Sequence, residues 1–337
     1  MYTKNNFNKI FKRHINKFNN KNIIFSGDII NFFPKEINLK NFKFHTFWFH
    51  HKKKLLKNKN NKIFFGLFKN NSFTKECNFL IYFWQKNKLE NLFQILNIFS
   101  FLNKNCEIFI IGYKKYGVKS VFNLLKKWCF LSKIDNIGHC ILFYGKLINI
   151  PSFNINFFLK KYNINSIIIK TLPGVFDYKK LDNGSKFLLS TLNEPFEGKI
   201  IDIGCGSGII SAFLANYNKN IDITLIDSYY SAILSSKLTF KKNNLNCNII
   251  SSDVYSNVCG KFDMIITNPP FHDKKNINFK IAKKIIYRSK KYLNIGGKIR
   301  IVANNFLPYS FMLEKTFGTY KILLKNNFFK VYEAINY

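Results

Sequence analysis

Short apolar runs rich in Ile and Phe alternate along the chain with longer segments whose apolar residues recur at helical spacing. The short runs predict buried strands and the periodic segments predict helices. In the first half, residues 1–20 predict a helix with a frayed start, and Asn22–Phe25 and Asn41–Phe44 predict strands. Phe79–Trp84 reads as a strand followed by the polar stretch Gln85-Lys86-Asn87-Lys88, with a helix over about Asn91–Leu102. Glu107–Ile111 is a further strand, turning through Gly112–Gly117 into a helix over Val118–Trp128, and Cys140–Tyr144 closes the segment.

The second half repeats this order. Ser166–Leu172 reads as a strand, and Leu181–Leu192 as a helix that Asp182 or Ser185 caps. Strands then end at Asp202, at Asp227 after Ile223–Ile226, at Ser251 and at Thr267, and a helix starts near Ser207. Helices are expected at about Phe279–Leu293 and Tyr309–Phe317, with Gly296-Gly297 turning into a strand over Lys298–Ala303. Strands alternating with helices indicate an α/β architecture, and the repeated order indicates duplication. The expectation is a degenerate domain over 1–150, a linker over 151–165 and a second domain over 166–337.

The chemistry concentrates between Lys199 and Phe271. Asp202 closes a β-branched run, and Gly204, Gly206 and Gly208 follow, with Cys205 between the first two. Glycines there let a ligand lie against bare backbone. The acid-first spacing differs from both the phosphate-cradling loop and the dinucleotide fingerprint, while Asp227 is placed for two ribose hydroxyls. Together they suit a nucleoside cofactor without a pyrophosphate, S-adenosylmethionine (SAM). Asp253 is positioned for the adenine amino group, the alternative being a loop acid that faces solvent. The sharper motif is Asn268-Pro269-Pro270-Phe271 at the end of the next strand. Its prolines stiffen the turn. The Asn268 side-chain oxygen and the Pro269 carbonyl accept from a flat NH2 group, and Phe271 offers it a stacking face. The pair of motifs indicates an amino-group methyltransferase. Nothing before residue 150 matches either motif, so the first domain is expected to be a non-catalytic copy.

Charge adds a partner. The formal net charge is +35, with 27 basic and 6 acidic residues in the first 150 positions against 26 and 12 in the remainder. Such a field favours polyanions, and an RNA-holding role is expected of the more basic first half. Lys, Asn, Ile, Phe and Tyr crowd every segment, and A/T-rich codon usage is expected to account for part of the basicity. The 7 cysteines form no Cys-x-x-Cys pair and read as reduced core residues of a cytoplasmic protein. His45, His50 and His51 lack acidic or cysteine partners nearby, which argues for buried or RNA-facing histidines and against a metal. No apolar run reaches the length of a membrane span.

The chain resembles the bacterial 16S rRNA (guanine(1207)-N2)-methyltransferase family over nearly its whole length. The resemblance rests on Ile81–Lys88, Thr171–Phe176, Leu181–Ser185, Phe262–Asp273, Arg300–Asn304 and Phe329–Tyr332. It implies two tandem Rossmann-like class I methyltransferase domains, the N-terminal one degenerate, with SAM and the base bound by the second. Site residues carried over are Asn268, Pro269, Pro270 and Phe271 for the target, and Gly184, Asp202, Gly204, Cys205, Gly206, Asp227 and Asp253 for the cofactor, with no metal. The implied partner is 16S rRNA within the 30S subunit, for a cytoplasmic monomer. Ser207 replaces a usual alanine, Lys186 a usual glutamine, and Asp253 a position where an amide occurs. His272 and Asp273 are read as loop-shaping or RNA-contacting. Two rivals are an amino methyltransferase acting on DNA adenine or a protein glutamine, and a non-catalytic rRNA-binding assembly factor.

Overall fold

The computed structural model describes residues 2–29, 39, 41–218, 220–270, 272, 273, 276, 277 and 279–337. The chain divides into two compact units, Met1–Phe158 and Leu159–Tyr337.

In the first unit, helix α1 (Tyr2–Arg13) precedes β1 (Ile23–Gly27), β2 (Phe42–Thr46), α2 (Phe49–Leu55), β3 (Lys62–Phe65) and β4 (Phe79–Phe83). There follow α3 (Lys88–Phe99), β5 (Glu107–Tyr113), α4 (Val121–Leu125), β6 (Cys129–Ile137) and β7 (Cys140–Leu147). The strands form one sheet in the order β3-β2-β1-β4-β5-β7-β6, parallel as far as β5 and antiparallel at β7 and β6. Every residue of β1 and β4 is buried, as expected of parallel strands covered on both faces. Phe7, Phe11, Phe18, Phe25 and Phe83 fill one face.

The second unit opens with the hairpin β8 (Lys160–Ile164) and β9 (Ile167–Thr171), then α5 (Asn183–Leu189), β10 (Gly198–Ile203), α6 (Ile209–Tyr217) and β11 (Ile221–Asp227). Next come α7 (Tyr230–Lys242), β12 (Asn248–Ser251), β13 (Phe262–Thr267), the two-residue strands β14 (His272–Asp273) and β15 (Asn276–Ile277), and α8 (Lys280–Tyr292). The unit ends with β16 (Leu293–Asn304), α9 (Tyr309–Phe317), β17 (Lys321–Lys325) and β18 (Phe329–Ile335). Its sheet runs β12-β11-β10-β13-β16-β18-β17, the same order as in the first unit. The tandem Rossmann-like architecture read from the sequence is therefore present.

Several boundaries differ for local reasons. Helix α3 starts at Lys88 because Asn87 caps it, its side chain accepting from the Leu89 and Glu90 amides. The helix expected over Val118–Trp128 is a 3-10 turn, Val118–Ser120, plus the short α4, because Cys129 already belongs to β6. That strand went unread because it lies at the sheet edge, outside β7, where only Cys129 and Leu131 are buried and polar residues interrupt its apolar ones. Gly296 and Gly297 lie inside β16 instead of preceding it. The β13–β16 register shifts between Phe262 and Met264, and a Cβ on Gly297 would stand 3.0 Å from the Phe262 carbonyl oxygen, so glycine permits the bulge. The expected linker over 151–165 is partly regular, since β8 falls within it.

His45 lies in β2 with no exposed surface. Its Nε2 meets the Gly66 carbonyl at 2.7 Å and must donate, so its Nδ1 accepts from the Ser26 hydroxyl, also at 2.7 Å. Burial holds its pKa down to about 4. Among the described residues no group of three His, Cys, Asp or Glu is placed to hold a metal.

A His that titrates near 6.5 when unfolded and near 4 when folded binds its proton more readily in the unfolded chain. Its contribution to stability is full above pH about 6.5 and falls as pH drops towards 4, by up to about 3 kcal/mol. Urea unfolding of the first unit in the full chain should show this slope, and His45→Gln should abolish it.

Candidate active site at the strand ends of the second unit

Parallel pairing brings three strand ends level. Ile203 of β10 sits beside Ile226 of β11 and Thr267 of β13, and the Thr267 hydroxyl donates to the Ile203 carbonyl at 2.7 Å. The chain leaves β10 towards β11 on one side and takes up β13 on the other, which opens a crevice at the carboxyl ends. Asp202, Asp227 and Asn268 stand around it, each at or just beyond the end of its strand.

The loop between β10 and α6 is folded by its glycines. Gly204, Gly206 and Gly208 all have left-handed φ, at +76°, +58° and +78°. The Gly204 and Cys205 amides are taken by the Ile226 carbonyl, at 2.9 and 3.1 Å, which pins the loop to β11. A Cβ on Gly208 would stand 3.0 Å from Ser236 Oγ and 3.1 Å from Leu225 Cδ2, so this glycine is needed for helix packing. A Cβ on Gly204 would meet nothing within 4 Å among the described residues. Gly204 faces open space, as a ligand cradle requires. Cys205 is buried, its thiol 3.4 Å from the Ser236 hydroxyl.

Carboxylates line this cradle. Asp202 is buried and accepts from the Ser211 hydroxyl at 2.7 Å, and burial, reinforced by Asp227 and Asp177, pushes it up to about 7. Asp227, half-buried, accepts from the Gly206 amide at 3.2 Å and the Tyr229 amide at 2.8 Å. Burial raises it to about 6 against those bonds. Asp177 is an addition that sequence reading missed. It stands one residue beyond the apolar loop 173–176, is 5% exposed, and accepts from the Ser207 and Tyr162 hydroxyls. Its Oδ1 has no partner among the described residues and lies 3.7 Å from where a Gly206 Cβ would be, and its pKa is raised by burial. The unusual hydroxyl of Ser207 thus ties the glycine loop to Asp177. Three acids concentrated within a strongly basic chain favour a cation in this cradle.

On the other side of the crevice, Asn268 is held by the start of α5. Its Nδ2 donates to Asp182 Oδ2 at 3.1 Å and to Ser185 Oγ at 2.9 Å. Asp182 is also the cap of α5, accepting from the Ser185 amide at 3.1 Å. Gly184 is buried in that first turn, and a Cβ on it would stand 3.4 Å from Asn268 Nδ2. Its smallness lets α5 approach Asn268. Pro269 is buried and Pro270 exposed, while Phe271 lies outside the described residues. His272 and Asp273 form β14, which pairs antiparallel with β15. Asp253, after β12, is bridged by Lys284 of α8 at 2.8 Å.

Residues 166–333 match the methyltransferase small domain family, and residues 8–162 match its N-terminal domain. A curated relative from Sodalis glossinidius, ribosomal RNA small subunit methyltransferase C, is 41% identical, with 97% of this chain and 94% of the relative covered. The protein of that name from Erwinia tasmaniensis is 38% identical, with 97% and 96% covered. The chain belongs to the ribosomal RNA small subunit methyltransferase C family. A solved structure, the T. thermophilus 16S rRNA N2 G1207 methyltransferase in complex with AdoMet and guanosine, shares the fold. Its TM-score is 0.81 at 19% identity, with 94% of this chain and 88% of that one covered.

Among the described residues, the corresponding strand ends of the first unit are built differently. Where β13 leads into Asn268-Pro269, β4 leads into Trp84, which is buried and donates its indole N–H to the Tyr116 carbonyl at 3.1 Å. A Cβ on Gly27, at the end of β1, would stand 2.2 Å from the Phe83 carbonyl oxygen. Among the described residues, β4 backbone and aromatic side chains occupy this corner.

Alanine at Gly204 and at Gly208 separates the two roles of the loop. Both positions have left-handed φ, and each substitution costs about 1–2 kcal/mol for that reason. Gly208→Ala adds contacts with Ser236 and Leu225 and should lower the urea midpoint further. Gly204→Ala adds no contact with the described residues but places a methyl in the cradle, so calorimetry should show the greater loss of SAM affinity beyond its fold cost.

Proposed function

We propose that this chain transfers the methyl group of SAM to the exocyclic N2 of one guanine of 16S rRNA, guanine 1207 by family resemblance, presented by the 30S subunit in the cytoplasm. The observation that carries the reading is the facing of an acid-lined glycine cradle and the clamped Asn268 across one strand-end crevice. The identity with curated rRNA methyltransferases over nearly the whole chain supports the substrate class.

The residues present fit the cofactor. Gly204 leaves the cradle open, Asp227 offers carboxylate acceptors at the place for ribose hydroxyls, and Asp202, Asp227 and Asp177 supply negative potential for a cation. Bound there, SAM supplies a methyl group on a sulfonium, which needs no further electrophilic activation. Asn268 Oδ1 and the Pro269 carbonyl accept the two N2 hydrogens of a guanine taken out of its stack, at a cost of about a few kcal/mol. Those bonds localise the nitrogen lone pair, which is otherwise delocalised into the ring. The lone pair forms the new N–C bond as the S–C bond breaks, and the surplus N2 proton leaves to water after transfer. Positioning and electrostatics supply most of the acceleration, and no strong general base is required.

Helix α8, following this loop in sequence, presents Lys280, Lys283, Arg288, Lys290 and Lys291 as exposed cations, a surface suited to RNA phosphates. The first unit, which lacks both motifs and carries the larger charge excess, acts in this reading as an RNA-holding domain of a monomer.

Labelled methyl from SAM should enter 30S subunits taken from cells lacking the modification, and nuclease digestion should return N2-methylguanosine at a single site. Label in DNA or in a protein glutamine, with none in rRNA, would reassign the substrate. A chain that binds rRNA but not SAM would be a non-catalytic assembly factor. Asn268→Ala should abolish turnover while sparing SAM binding.

Cofactor affinity should also depend on pH. Asp227 titrates near 6 and Asp202 near 7, and a cationic ligand favours their charged forms. The SAM dissociation constant should therefore rise as pH falls from about 7.5 to about 5.5, and a constant value over that range would contradict the assigned acids.

A further inference from the structure

We infer that Asp182 and Ser185 are positioning residues that set the polarity of Asn268, fixing which end of its amide faces the guanine. The inference rests on the amino-group transfer proposed above. An asparagine amide is nearly symmetric in shape, and a half-turn of its terminal torsion exchanges an acceptor for a donor. Facing an exocyclic NH2 group, the oxygen forms a hydrogen bond, whereas the nitrogen points hydrogens at hydrogens. A strand-end asparagine without a fixed partner would populate both arrangements.

The first turn of α5 removes that freedom. A carboxylate only accepts, so the end of Asn268 that meets Asp182 Oδ2 at 3.1 Å must be the NH2 end. Ser185 Oγ takes the second amide hydrogen at 2.9 Å. Both hydrogens of Nδ2 are then committed to α5, and Oδ1 is turned away from those partners. The oxygen of Asp182 that clamps the amide is the one that caps the helix, accepting from the Ser185 amide at 3.1 Å. Helix start and amide polarity are therefore set by the same atom. Gly184 makes the approach possible, since a Cβ there would stand 3.0 Å from Asp182 Oδ2 and 3.4 Å from Asn268 Nδ2. Two donated bonds also polarise the amide and make Oδ1 a better acceptor.

The test separates capping from clamping. Asp182→Ser keeps a good N-cap residue but withdraws the carboxylate from Asn268, and Ser185→Ala removes the other acceptor. In the full-length chain each single substitution should lower kcat severalfold on 30S subunits lacking the modification. The double variant should lose about tenfold or more, the scale of one oriented hydrogen bond. KM for the subunits, the calorimetric Kd for SAM and Tm should stay close to wild type. Asp182→Asn, which retains an oxygen at the same place, should recover most of the loss. A double variant with wild-type kcat would overturn the inference. So would a loss of kcat matched by equal losses of SAM binding and Tm, because the pair would then serve the helix alone. Failure of the underlying reading looks different, because the wild-type chain would then methylate no guanine.

Discussion

The site depends on one constraint, the parallel register that brings the carboxyl ends of β10, β11 and β13 level. Asp202, Asp227 and Asn268 are far apart in sequence and make no direct bond with one another. They meet because three buried, Ile-rich strands pair in a single register. A slip by one residue would reverse the faces of every side chain and carry the acids away from the crevice. The Thr267 hydroxyl on the Ile203 carbonyl and the Gly204 and Cys205 amides on the Ile226 carbonyl lock the register where the chemistry needs it.

Both units share a strand order, yet their described strand ends differ. In the second unit the strand ends carry an acid, a glycine whose missing side chain leaves open space among the described residues, and a stiff Asn-Pro turn. In the first, the same corner holds Trp84, the Phe83 carbonyl and packed phenylalanine rings. The charges divide similarly: a basic exterior suits a polyanion, while three buried or half-buried acids keep the cradle suited to a cation.

Much of this was legible in the sequence because the site lies at strand ends with strong local signals. Asp202-x-Gly-x-Gly-x-Gly and Asn268-Pro269-Pro270 announce themselves, and the alternation of apolar runs with helical periods gives the architecture. What escaped depended on tertiary context. Strand β6 lies at an edge with only Cys129 and Leu131 buried, so its apolar residues form no long run. Asp177 follows an apolar loop with no motif of its own, and only folding brings it against Ser207 and Gly206. Asp182 was legible as a helix cap, but its bond to Asn268 joins residues distant in sequence that no local pattern connects.

The most direct test of the account is a crystal structure of the full chain with S-adenosylhomocysteine and guanosine. The account predicts the cofactor ribose on Asp227, the guanine N2 about 3 Å from Asn268 Oδ1, and Asn268 Nδ2 still on Asp182 and Ser185. A guanine bound away from Asn268, or facing its nitrogen, would contradict it.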